Sequence, residues 1–246
     1  YLVKFDENTD LQEAANRLSK LGEISKVQGN SRIRRAYSGN YRTYTSEAVL
    51  QKTAATRTLS TAPNDPGFVT QWNLNNVGDI DFGNSNAKSV IGCDVNCLEA
   101  WKKCTGDPSI IVAVLDEGVM YTHPDLAANM WVNEKEQLRA GKDADGNGYK
   151  DDRYGYNFVK NSGLISWTDA NDTGHGTHVA GIIAAVNNNG EGVSGIAGGD
   201  GTPNSGVKLM SCQVFDGEGG VTLDGEAKAI KYAADNGAVI LQCSWG

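Results

Sequence analysis

Asp116 and His175 are the residues whose type and setting best suit acid–base chemistry. Asp116 closes the apolar run 110–115, Ile-Ile-Val-Ala-Val-Leu. Such a run predicts a strand buried on both faces of a parallel sheet. Ligands and catalysis gather at the carboxyl ends of these strands. His175 lies in the stretch from Asp172 to Gly181, which also holds His178, Gly176 and Ala180. That stretch predicts a helix from His175 to Val186 whose small residues let it pack closely on its neighbours. A serine hydroxyl is a poor nucleophile at neutral pH. It needs an imidazole to take its proton and a buried carboxylate to hold that imidazole in one tautomer. Asp116 and His175 supply the orienter and the base. A zinc reading of His175 and His178 is poor, because the metalloprotease pattern needs histidines at i,i+4 and a Glu between them.

The elements that must position this pair follow from the same periodicities. Further strands are predicted over 207–215 and 238–243, and an amphipathic helix over 221–235 that stops at Asn236 and Gly237. Strands alternating with helices imply an α/β fold with a parallel sheet. Residues 1–60 read as a separate small α+β unit, and residues 61–246 as the main domain. In the small unit, Tyr1–Phe5 alternates like an edge strand, and Asp10 caps a helix running to about Leu21. Short strands are expected near 24–27 and 33–37, and 38–63 reads as a mobile linker. Because Tyr1 opens directly into structure, the N-terminus is expected to be a processed end.

Charge divides the chain at the same place. Residues 1–60 hold ten Lys or Arg and six Asp or Glu, whereas 61–246 hold twelve and twenty-four. A small basic segment beside a large acidic one suits two parts that dock, although two independently solvated surfaces would give the same pattern. The acidic main body argues against nucleic acid as a partner. No apolar run reaches the roughly 18 residues of a membrane-spanning helix. The five cysteines (Cys93, Cys97, Cys104, Cys212 and Cys243) leave at least one thiol unpaired. One local bridge among the first three is possible, with connectivity open.

The segment His175–Gly181, His-Gly-Thr-His-Val-Ala-Gly, resembles the histidine motif of the subtilisin family (subtilases) throughout. Residues 112–118 resemble its aspartate motif, except that the family usually has Ser or Thr where this chain has Glu117. An extra carboxylate there raises the pKa of the pair or alters the field of the site. Residues 238–246 are similar to the strand whose end lines the substrate pocket. The resemblance therefore implies substrate contacts for Ser244, Trp245 and Gly246, with Ser244 a pocket serine and not the nucleophile. It further implies a three-layer subtilisin-like fold, incomplete at its C-terminus, and preceded by a ferredoxin-like inhibitory propeptide whose second helix fits best over 46–56. The family's oxyanion Asn motif and its Gly-Thr-Ser-x-Ala nucleophile motif do not occur in residues 1–246. The missing C-terminal half of the domain is thus an expected partner, with the propeptide and a protein or peptide substrate.

Calcium is the expected cofactor. The resemblance implies one site from Asp65, Asp125 and Asn188. A second rests on spacing: Asp143, Asp145 and Asn147, with Gly148 at the sixth position, follow an EF-hand-type loop. Tyr154 stands where that loop would have its closing Glu, so Asp151 or Asp152 is expected to close it. Three readings of function stay open. The first is a zymogen of a serine endopeptidase, secreted or in a bacterial cell envelope. The second is a pseudoprotease or peptide-binding module lacking the serine. The third is a calcium-stabilised structural fragment.

Overall fold

The computed structural model describes residues 2–22, 24, 26–30, 32, 62–79, 89–168, 172–217 and 219–245. At its centre lies a four-stranded parallel sheet. Its strands are β1 (Ile111–Asp116), β2 (Gly155–Asn157), β3 (Lys208–Gln213) and a last strand, Ala238–Gln242, in the spatial order β2, β3, β1, last strand. The apolar run that predicted β1 is explained by cover on both faces. Val112 and Val114 point to one side, where they meet Ala180, Ala184, Leu209 and Met130. Ala113 and Leu115 point to the other, among Met210, Cys212, Phe215, Ala229 and Tyr232.

One helix covers each face. The first face is closed by His175–Ala184, which turns Ala180 and Ala184 inward. The second is closed by Leu223–Asp235, which turns in Ala229, Tyr232 and Ala233 and stops at Asn236 before Gly237 at φ +89°. Three layers result, with the parallel sheet that the alternating pattern predicts and the layering that the family resemblance implies. Chain order then sets the labels: α1 is Leu11–Leu18, α2 Cys97–Trp101, α3 His175–Ala184 and α4 Leu223–Asp235. A short antiparallel pair, β4 (Phe215–Asp216) and β5 (Gly219–Gly220), follows β3, and Ala238–Gln242 is β6.

Several expectations differ from what is found. The strand predicted over 207–215 breaks at Val214, whose N–H donates to the carbonyl of Asp116. Residues 2–6 form no strand, because Leu2, Val3 and Phe5 stand exposed with no ladder partner among the described residues. The residues described within 24–27 are likewise without strand. Asp10 does cap α1, its Oδ1 accepting from the N–H groups of Gln12 and Glu13, but the helix ends at Leu18. The expected strand at 33–37, the helix at 46–56 and the linker up to Thr61 lie outside the described residues. All five cysteines are free thiols, so the local bridge is not formed. Cys97 instead packs with Phe68 and Leu74 in a satellite core.

Candidate active site

β1 ends at Asp116, and the carboxyl edge of the sheet faces the start of α3. Asp116 is buried, with 1% of its surface exposed. Its Oδ1 and Oδ2 lie 2.7 and 2.9 Å from Nδ1 of His175. A carboxylate only accepts, so Nδ1 carries the hydrogen in this contact, and Nε2 is then the ring nitrogen that can take a proton in the neutral imidazole. Asp116 Oδ1 also accepts from the N–H of Glu117 at 2.7 Å. Burial pushes the Asp116 carboxyl above the usual range, while the His175 contact and the Glu117 N–H pull it back.

Close approach of helix to strand requires Gly176. A Cβ there would sit 2.2 Å from the carbonyl oxygen of Glu117 and 3.4 Å from Cβ of Asp116. Glu117, also 1% exposed, turns its carboxylate toward α3. Its Oε2 accepts from the N–H and hydroxyl of Thr173 and from the N–H of His175, at 3.1 to 3.2 Å. His178 does not pack within the helix. It is exposed and lines a groove with His123, Trp167 and Ile182.

The segment after β6 approaches the same edge. Trp245 donates its indole N–H to the carbonyl of Leu115 at 2.6 Å and packs against Phe215. Ser244 Oγ accepts from the side chain of Gln242. Gly246 lies outside the described residues.

The residues expected to hold metal form two clusters of oxygen donors. Asp65 and Asp125 are both buried beside the 187–194 loop. Asp65 accepts from the N–H groups of Asn188 and Asn189 and from Ser194 Oγ. Asp125 accepts from Val193 N–H and the Asn189 side chain. Burial, and then the charge of Asp65, hold the Asp125 carboxyl above its ordinary range, a setting that a bound cation would relieve. The side chain of Asn188 turns elsewhere, its oxygen accepting from Asn64 N–H. Asn189 is therefore the neighbour that the sequence did not single out.

In the second cluster Glu136, Asp143 and Asp145 each bring a carboxylate oxygen within 4.8 Å of the others. Glu136 is fully buried and accepts from the N–H groups of Ala144, Asp145 and Asp151. It reaches the loop from outside the 143–154 span, whereas Asp151 Oδ1 accepts from Gly141 N–H. Asn147 donates to both Asp145 and Asp152. The all-oxygen donor sets fit a hard divalent cation.

The family profile described as "Subtilase family" matches residues 107–246. Subtilisin-like protease 1 of Plasmodium vivax is 47% identical over 106 residues, which are 43% of this chain and 15% of that protein. The halolysin-like extracellular serine protease Nep of Natrialba magadii is 35% identical over 152 residues, 62% of this chain and 23% of that protein. The thermophilic serine proteinase of Bacillus sp. (strain AK1) is 31% identical over 251 residues, covering 100% of this chain and 51% of its own length. The chain thus spans about half, or less, of the length of these relatives.

Proposed function

Because this chain belongs to the subtilase family, we propose that it supplies the orienting acid and the general base of a serine endopeptidase, made as a zymogen. The observation that carries this reading is the two-oxygen contact of Asp116 with Nδ1 of His175 at the carboxyl edge of the sheet. In the proposed reaction a serine outside residues 1–246 attacks the carbonyl carbon of a peptide bond. His175 Nε2 takes the hydroxyl proton and then gives it to the leaving amine. Asp116 stays ionised throughout and stabilises the imidazolium. Water then releases the acyl group by the same route in reverse. Ser244, Trp245 and Gly246 are the proposed wall of the substrate pocket, supported by the way Trp245 anchors to the carbonyl before Asp116.

The remaining half of the domain is the proposed cover for β6, on which Val239, Ile240 and Leu241 are exposed. Residues 1–60 are the proposed ferredoxin-like propeptide. Support comes from Asn30, whose side-chain oxygen accepts from Asp224 N–H, and from an antiparallel bridge between Arg32 and Thr222. A secreted or cell-envelope location is consistent with the extracellular relative. Among the described residues no helix is long and apolar enough to cross a membrane.

Calcium is the proposed structural ion. Asp65 and Asp125, with Asn189 or Asn188, would hold one ion, and Asp143, Asp145, Asn147 and Glu136 another, with Asp151 at the edge of that loop. The ion would tie distant segments together and takes no part in proton transfer. Full-length protein should cleave an internal bond of an unstructured polypeptide, read by mass spectrometry of the products. Chelation should lower its melting temperature, and calcium should restore it. Intact substrate after long incubation with processed protein would refute the enzymatic reading. An unmoved melting temperature would refute the structural ion.

A further inference from the structure

We propose that Glu117 is a positioning residue for the general base: it caps the start of α3 and thereby fixes the main chain of His175 above Asp116. The inference rests on the acid–base reading of the Asp116–His175 pair. α3 begins without a cap of its own. Its N-cap position is Gly174, held at φ +74° and lacking any side chain to accept from the first N–H groups of the helix. Those groups are unsatisfied by helix geometry and carry the positive end of its dipole. Glu117 meets that need from 58 residues upstream, through its bonds to Thr173 N, Thr173 Oγ1 and His175 N.

Neighbouring side chains in a strand point to opposite faces. β1 ends at Asp116, which frees Glu117 to turn onto the same helix. Two consecutive carboxylates therefore grip one residue. Asp116 holds the ring of His175, and Glu117 holds its peptide N–H. A cap placed elsewhere on the helix would steady α3 as a whole. A cap on the base itself also sets the point from which the imidazole projects. Displacement of a reacting group by about 1 Å can cost on the order of 100-fold in rate.

The buried charge of Glu117 acts on the pair as well. It adds to the forces that raise the Asp116 pKa. Among the described residues, another titratable group near Asp116 comes from the segment after β6. This is the thiol of Cys243, which burial and then the charges of Glu226 and Asp116 push up, so that it stays neutral.

The test compares full-length protein with its Glu117→Ala and Glu117→Gln variants. Peptide hydrolysis is followed across pH, and amide hydrogen exchange is measured at Thr173 and His175. Glu117→Ala should lower kcat roughly 10- to 100-fold with KM held within about twofold, and should speed exchange of both amides. Glu117→Gln keeps an acceptor oxygen but not the charge. It should recover most of kcat and move the acidic limb of the pH–rate curve to lower pH, because a negative neighbour no longer favours protonation of the pair. A helix-capping role without effect on the base would leave that limb in place. Parent-like kcat in both variants, with unmoved limb and unchanged amide exchange, overturns the proposal. Should Glu117→Ala fail to fold, the limb in Glu117→Gln decides: a shift to lower pH supports the proposal, and an unmoved limb overturns it. A parent protein inert toward every peptide removes the proposed activity. In that case exchange at the His175 amide alone decides: faster exchange in either variant supports the proposal, and unchanged exchange overturns it.

Discussion

Asp116 must be an anion to hold His175, yet it is placed where a charge is poorly solvated. A carboxyl whose folded pKa lies above its unfolded value of about 3.9 favours the folded state below that value. The benefit is lost as pH rises through the folded pKa. At neutral pH the native protein therefore carries the cost of a buried charge. Asp116→Asn removes the charge while keeping size and an acceptor for Glu117 N–H. Equilibrium urea unfolding at pH 7 to 8 should show the variant no less stable than the parent, with any advantage shrinking as pH is lowered through the folded pKa. Peptide hydrolysis should fall about 10⁴-fold, because the imidazole is left in the wrong tautomer. A variant both active and less stable would mean that the carboxylate serves the fold and not the base.

At the scale of elements, the close fit of α3 against the end of β1 decides whether the pair can meet. Gly176 is where that fit is tightest. Gly176→Ala places a methyl group inside the backbone of Glu117, so α3 must lift. We expect a loss of about 1–3 kcal/mol in denaturant melts, together with weakened hydrolysis. Parent-like stability would show that the helix has slack at this point. These elements were legible in the sequence because each carries its own signal. β1 is a continuous apolar run, α3 a string of small residues, and α4 an amphipathic stretch with a Gly stop. β2 escaped because three residues, Gly155, Tyr156 and Asn157, give no period to read. Gly155 earns its place only in three dimensions, where a Cβ would sit 1.9 Å from the carbonyl oxygen of Ser211. The acidic loop was legible as a spacing of oxygens, but its partner Glu136 was not. Glu136 precedes the loop and reaches it through the fold. Likewise nothing in the local sequence distinguishes Asn189 from Asn188. Only the turn of the chain decides which side chain meets Asp125.

Across the whole molecule, the two helices that flank the sheet share a feature. Neither is capped by its own N-cap side chain. Gly174 has none to offer, and Thr222 makes no such bond. Distant residues cap both instead: Glu117 for α3, and Asn30 for α4 through the Asp224 N–H at 3.0 Å. The second of these joins the basic N-terminal segment to the acidic body. Asn30→Ala in the full-length precursor should cost about 1 kcal/mol, a typical cap value. Exchange of the Asp224 amide should then quicken roughly fivefold where local opening governs it. Unchanged exchange would mean that the N-terminal segment does not brace α4. The proposed hydrolysis depends on a serine made nucleophilic by His175. The most direct measurement is active-site titration of processed full-length protein with a fluorophosphonate. Labelling at one serine per molecule, lost in His175→Ala, is the predicted result. A properly folded and processed protein that takes up no label, or labels equally well without His175, would contradict it.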